Sequence, residues 1–139
     1  DALYQEAEAV LRAEFAEEQK LDVAGGAEKL PNAFNALLMD PYYSVVEQGY
    51  RSVREKGWRL MPGSPVALTH IQMRSDLTID DSLITIEACY DRSQAIVVDT
   101  SNKPVDHGIA DLRTLYLKRD SQKLKIFYGT SQRKATCDQ

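Results

Sequence analysis

The chain has 139 residues, of which 43% are hydrophobic and 27% charged, and its net charge at pH 7 is -4. These proportions are typical of one globular domain and exclude a disordered polypeptide. The acidic balance excludes a dedicated binder of nucleic-acid phosphates, and no apolar run approaches the ~20 residues that span a bilayer. Since the sequence opens at Asp1 with neither a methionine nor a basic or apolar leader, we expect a mature or trimmed product.

The first predicted helix runs from Ala2 to about Leu21. Apolar residues recur there at helical spacing, at Leu3, Ala7, Val10, Leu11 and Phe15, and Gly25-Gly26 is expected to stop the helix. Acidic side chains occupy most of the remaining positions, which favours an amphipathic helix with a solvent-facing side. The glutamates that we place on that side are Glu6, Glu8, Glu14, Glu17 and Glu18.

Prolines mark the two helices that follow. Pro31 suits the first position of a short second helix, and Asp40-Pro41 combines an N-cap acceptor with a proline at the start of the third. The third helix is predicted to end at about Lys56, because Gly57 can adopt the left-handed conformation that closes a helix. The predicted buried stripe of this helix is Tyr43, Val46, Tyr50 and Val53.

The hydrophobic period changes from helical to alternating after the turn at residues 62–65. β-Branched and aromatic residues then favour strands, separated by turns rich in Asp, Ser and Asn. The helix-then-strand order predicts one α+β domain over residues 1–139, with helices in 1–57, a mostly antiparallel sheet in 66–130 and a tail in 131–139. The predicted strands are Val66–Arg74, Leu83–Asp91, Ala95–Thr100, Leu112–Arg119 and Lys123–Thr130.

The chain contains two cysteines, Cys89 near the end of a predicted strand and Cys137 in the tail. Neither belongs to a Cys-x-x-Cys pair or has a histidine close in sequence, so their spacing does not indicate a metal site. They are either two unrelated thiols or a disulfide that pins the tail to the sheet. We favour the disulfide, because a thiol in an exposed tail has no other structural role, and a disulfide would indicate an oxidising compartment.

Catalytic and cofactor-binding motifs are absent from the sequence. Neither a phosphate-cradling glycine pattern nor Gly-x-Ser-x-Gly occurs, and we assign no catalytic residue, metal ligand or cofactor. One pocket is expected between the third helix and the sheet, where we place Tyr43, His70 and Tyr90 but no carboxylate. A hydroxyl and an imidazole there could orient a carbonyl or transfer a proton, whereas the alternative is that all three are core or rim residues. We assign His107 to a solvated turn.

Several stretches of the chain share short motifs with a known family: residues 7–15, residues 25–31, residues 84–93 with their Cys-x-Asp-x-Ser ending, residues 99–105 and residues 123–137. Together they resemble small secreted or lipid-anchored proteins of high-GC Gram-positive bacteria, in which the two matching cysteines are expected to be bridged. The order of helices and strands also resembles the nuclear transport factor 2-like superfamily. That resemblance implies three helices packed on a curved, cone-shaped sheet, and its members include both enzymes and binding modules.

These features lead us to expect an extracytoplasmic, non-catalytic module, secreted or anchored at the cell surface. It would bind a protein or a small ligand at the cell envelope, and no nucleic acid. One alternative is a small pocket enzyme of isomerase or dehydratase type, which would rely on His70. Another is a structural homo-oligomer, such as a homodimer, built on an exposed apolar sheet face.

Overall fold

The N-terminal helix is the longest element of the fold. In the computed structural model, which describes residues 1–138, helix α1 spans Ala2–Ala24. It begins where the Asp1 carboxylate accepts hydrogen bonds from two backbone N–H groups of the first turn, at 2.8 and 3.1 Å. It ends at Gly25, whose φ of 84° lies in the left-handed region. The predicted glycine stop is confirmed, although the helix continues beyond Leu21.

Two further helices follow. Helix α2 is a single turn, Asn32–Asn35, with Pro31 at its N-cap instead of its first helical position. Helix α3 spans Tyr42–Lys56 and ends, as predicted, at a left-handed Gly57. The side chains that α3 buries are Tyr42 and Tyr50, so the buried stripe includes Tyr42 in place of the predicted Tyr43.

The strands form two antiparallel sheets, which corrects the prediction of one sheet. The larger sheet has the order β2-β3-β6-β7 and the smaller has the order β1-β4-β5. Strands β1 and β5 were not predicted, because so few residues carry too little alternation to be recognised. The chain is α+β as predicted, and its strands are β1 (Arg59–Leu60), β2 (Ala67–Met73), β3 (Ile84–Asp91), β4 (Ile96–Val98), β5 (Pro104–His107), β6 (Ala110–Asp120) and β7 (Lys123–Lys134).

Helix α1 packs on the inner face of the larger sheet. Residues opposite each other in the antiparallel pair β3 and β6 share a face, and this register places alternate residues of both strands toward α1. Among the described residues, no helix is both long and apolar enough to cross a membrane. The apolar part of the core between α1 and these strands contains Ala7, Leu11, Ile84, Ile86, Leu115 and Leu117.

The predicted disulfide is confirmed. Cys89 of β3 is bonded to Cys137, with their Cα atoms 5.8 Å apart, and the pair packs with Ala110 and Leu112. In the chain-entropy model, closing a loop with a sequence separation of 48 stabilises the fold by about 4 kcal/mol. The bridge therefore fastens the segment after β7 to the centre of the larger sheet. The last residue of the predicted tail, Gln139, lies outside the described residues.

Candidate functional site: an apolar cleft above a buried ion cluster

The three residues predicted to share a pocket lie apart. Tyr90 is fully buried in the core. His70 is exposed, with a φ of 55°, at the irregularity of β2 between Thr69 and Gln72, which interrupts the alternation that placed it inward. Tyr43 donates a hydrogen bond to Glu47 (2.9 Å) at the surface of α3. The structure therefore does not bring these three side chains to one cavity.

Three acidic side chains of α1 point toward the sheet. Glu14, Glu18 and Asp22 follow one another at intervals of four residues, so they lie on the helix face that also carries Leu11. Glu14 is 0% exposed and Glu18 is 4% exposed. The prediction that these two glutamates face solvent is therefore wrong. The physical reason is that the opposite strands supply arginines that pair with them.

Arg113 of β6 provides the first of these arginines. It lies opposite Ala88 of β3, whose small side chain leaves room for the guanidinium to lie over the ring of Tyr90, 3.9 Å from its centroid. Nη1 and Nη2 of Arg113 donate to the two carboxylate oxygens of Glu18 at 2.6 and 3.1 Å. This bidentate pair fixes the orientation of both planar groups.

Arg92 approaches the same carboxylates from the end of β3. Its Nη2 donates to Glu18 Oε1 and its Nε donates to Asp22 Oδ2, both at 2.8 Å. The turn into β6 passes so close to Arg92 that a Cβ at Gly108 would collide with the backbone there. Tyr50 of α3 completes the network, because its hydroxyl donates to Asp22 Oδ1 at 3.0 Å.

Glu14 is the innermost member of this network, and we conclude that it carries a proton. Burial raises the pKa of Glu14 well above its usual range, and the negative charge of Glu18 raises it further. Tyr90 donates to Glu14 Oε1 at 2.7 Å, whereas the buried Oε2 accepts no hydrogen bond within residues 1–138. A protonated Oε2 removes this deficit, because it can donate to the neighbouring Glu18.

Glu18 is correspondingly ionised. Burial by itself would raise the pKa of Glu18, but the charge of Arg113, the hydrogen bond from Glu14 and the charge of Arg92 together outweigh it and lower the pKa. Burial raises the pKa of Asp22, while the charge of Arg92 and the hydrogen bond from Tyr50 oppose that rise. With Asp22 ionised, the ion cluster, defined as Glu14, Glu18, Asp22, Arg92 and Arg113, contains two anions, two cations and one neutral acid. Its formal charge is zero, which is what a buried group of this kind requires.

A cleft of about 540 Å³ lies between the ion cluster and α3. Every member of the cluster except Glu14 lines its floor, and Asp111 adds a carboxylate 3.7 Å from Arg113, where the Asp111 side chain is 21% exposed. Gly129 of β7 makes room for the Tyr42 ring, because a Cβ there would lie 2.8 Å from that ring. The mainly apolar walls of this central cleft are formed by Tyr42, Val45, Val46, Val53 and Ile109.

Gly49 lies at the rim of the central cleft, in the middle of α3. A Cβ at this position would meet no atom within 4 Å, so packing does not require a glycine. Glycine in a helix interior is destabilising by about 1 kcal/mol relative to alanine. Because Gly49 has no side chain, this part of the rim stays open and another molecule can come close to the helix backbone there.

None of the five members of the ion cluster was predicted from the sequence to belong to a buried site. One signal was present on α1, because Glu14 and Glu18 continue the spacing of Ala7 and Leu11 and so belong to the same helix face. A second signal was Arg113, which precedes Leu115 by two residues and therefore shares its inward side of β6. Acidic residues on the apolar face of α1 and a basic residue on the apolar face of β6 together indicated a buried ionic network.

The chain is a disulfide-bonded α+β domain with an apolar cleft above a charge-paired floor. Comparison with known proteins found no family model that matches the chain, no similar curated protein and no similar solved structure.

Proposed function

We propose that this protein is a non-catalytic, extracytoplasmic binding module whose central cleft takes a small, uncharged and largely apolar ligand. The observation that carries the proposal is a cleft of about 540 Å³ with apolar walls above charges that are already paired. Sites for small molecules have volumes of about 300–1,000 Å³ and are mostly apolar. A charged ligand would lose hydration here without meeting an unpaired counter-charge on the floor.

Arg92 supplies a polar contact for such a ligand. Its Nε and Nη2 are engaged by Asp22 and Glu18, whereas its Nη1 makes no hydrogen bond within residues 1–138. Arg92 lines the central cleft, and we infer that its Nη1 is available to a ligand there. A neutral acceptor such as a ketone, ester or amide carbonyl complements a donor of this kind.

The positions of Glu14 and Glu18 favour a ligand-binding role over proton-transfer catalysis. A general acid or base must come within hydrogen-bond reach of its substrate. Both oxygens of Glu18, which lines the cleft, already accept hydrogen bonds from arginines. Glu14, the neutral acid, is fully buried behind it. This arrangement supports a fixed floor for ligand binding over an isomerase or dehydratase centre.

The compartment and the family relationship are also proposals. The Cys89–Cys137 disulfide supports an oxidising, extracytoplasmic location. The packing of α1 on one face of an antiparallel sheet supports a relationship to the nuclear transport factor 2-like cone. The relationship to secreted or lipid-anchored proteins of high-GC Gram-positive bacteria rests on the short sequence motifs, including the Cys-x-Asp-x-Ser ending of β3.

The uncharged dye Nile red, which has a carbonyl on an apolar ring system, is a suitable probe for the central cleft. Gly49→Phe adds a ring at the open rim, and Gly49→Ala is the matched control that adds only a methyl group. We expect equal dye affinity for the wild type and Gly49→Ala, and a loss of about tenfold or more for Gly49→Phe, equivalent to about 1.4 kcal/mol. Equal affinity of a folded Gly49→Phe variant, checked by circular dichroism, would refute the proposal.

A further inference from the structure

A second cleft, of about 400 Å³, lies on the other side of Arg92. It shares Asp22, Val53, Arg92 and Ile109 with the central cleft. The rest of its lining comes from the end of α3 and the residues that follow it, from β1 and β4, and from the end of β5 with the turn into β6. The residues that distinguish this Trp58 cleft are Lys56, Trp58, Arg59, Leu60, Val97, His107 and Gly108.

The Trp58 cleft has an excess of positive charge, in contrast to the central cleft. Lys56 and Arg59 form no ion pair within residues 1–138: Lys56 Nζ lies 4.0 Å from the centroid of the Trp58 ring, and Arg59 donates to the neutral amide of Asn102. Asp22, the carboxylate of the described lining, is already occupied by Arg92 and Tyr50. A negative ligand group would therefore meet cations that have no other anionic partner.

The same cleft also presents apolar surface beside these charges. The Trp58 ring is partly buried, with Lys56 Nζ over one face, and it lines the cleft together with Leu60, Val97 and Ile109. A bare inorganic anion would leave this apolar surface unused, whereas an aromatic carboxylate can pack its ring against the surface while its charge meets Lys56 and Arg59. We propose that the Trp58 cleft binds a small carboxylate with an aromatic or apolar body, separately from any ligand of the central cleft.

Trp58 provides the readout, because it is the only tryptophan in the chain. Its fluorescence would be followed while the whole protein is titrated with benzoate, and in parallel with benzamide, which keeps the ring but carries no charge. We expect a saturable change with benzoate and binding of benzamide that is weaker by about tenfold or more. Absence of saturation with benzoate, or equal affinities for the two compounds, would overturn the proposal.

Charge-removing variants locate the binding. Lys56→Gln and Arg59→Gln should each weaken benzoate binding by about 3- to 10-fold, since each removes one charge-assisted contact. Arg54→Gln removes the same charge from the last turn of α3 outside the cleft and should leave the affinity unchanged. Gly49→Phe, which fills the central cleft, should also leave it unchanged. An equal loss in Arg54→Gln would assign the effect to general charge, and loss in Gly49→Phe would assign it to the central cleft; either result refutes a separate site.

Discussion

The two halves of α1 bury opposite kinds of chemistry against the same sheet. The N-terminal half contributes Ala7 and Leu11 to an apolar core, whereas the C-terminal half buries Glu14 and Glu18 against arginines. Apolar burial stabilises directly, but buried ion pairs must first recover a desolvation cost and often add little net stability. We therefore expect the apolar half to stabilise the fold and the ionic half to fix side-chain geometry beside the central cleft.

Removing one arginine from the ionic half should have the largest effect. Arg113→Met leaves Glu18 buried without its bidentate partner, so we expect the free energy of unfolding to fall by about 3–5 kcal/mol. Urea denaturation measures this loss. The double variant Glu18→Gln/Arg113→Met removes the stranded charge as well and should recover part of the stability. A loss below about 1 kcal/mol in the single variant is typical of an exposed pair and would contradict burial of the cluster.

Truncation in the apolar half should cost somewhat less and should not depend on pH. Leu11→Ala leaves a cavity in a fully buried site, for which we expect a loss of about 3 kcal/mol. Denaturation at acidic and neutral pH should give the same loss for Leu11→Ala. The loss for Arg113→Met should shrink in acid, because protonation of Glu18 removes its unpaired charge. A loss of stability in Leu11→Ala that changes with pH would contradict the assignment of this half of α1 to a purely apolar core.

The apolar half could be predicted from sequence and the ionic half could not. Spacing alone placed Ala7 and Leu11 correctly, because an apolar stripe has a single physical interpretation. Glu14 and Glu18 fit the same stripe, but charged side chains are almost never fully buried unless they are paired, so without a known partner they are assigned to the solvent-facing side. Those partners, Arg92 and Arg113, lie far away in sequence, and only the pairing of β3 with β6 brings them to α1. The disulfide was predictable because the two cysteines lack metal-site spacing and a thiol in the tail has no other structural role.

Neutralising Glu14 should change how stability varies with pH. The raised pKa of Glu14 means that the folded protein keeps a proton that the unfolded chain releases above its ordinary value of 4.5. Wild-type stability should therefore fall as pH rises from that value toward the folded pKa, by ~1.4 kcal/mol per pH unit from this group. Glu14→Gln lacks this term, so it should gain stability relative to the wild type as pH rises. Parallel stability profiles for the two proteins would contradict a proton on Glu14.

Glu17→Gln is the matched control for this experiment. Glu17 pairs with Lys20, whose side chain is 71% exposed, and it is not part of the ion cluster, so its replacement should not reproduce the pH-dependent gain. The same gain in Glu17→Gln would show that the effect arises from net charge and not from the buried site.

The smallest expected effects come from substitutions at two glycines that line the central cleft, Gly49 and Gly129. Gly49→Ala should raise the free energy of unfolding by about 0.5–1 kcal/mol, because the added methyl group meets open space in a helix. Thermal unfolding measures this gain. Gly129→Ala should instead destabilise the protein, since its Cβ would lie 2.8 Å from Leu115 and Tyr42. Destabilisation by Gly49→Ala would mean that the helix needs this glycine for packing.

The ion cluster is neutral only if Glu14 carries a proton, so the protonation state of Glu14 is the quantity to measure. Carboxyl-carbon NMR on protein with 13C-labelled glutamate would follow each carboxyl group between about pH 4 and pH 8. We expect one carboxyl group to be still protonated at neutral pH and its signal to be lost in Glu14→Gln, while Glu18 stays ionised throughout. If every glutamate is ionised at neutral pH, the ion cluster has a net negative charge, and the conclusion that Glu14 keeps it neutral is wrong.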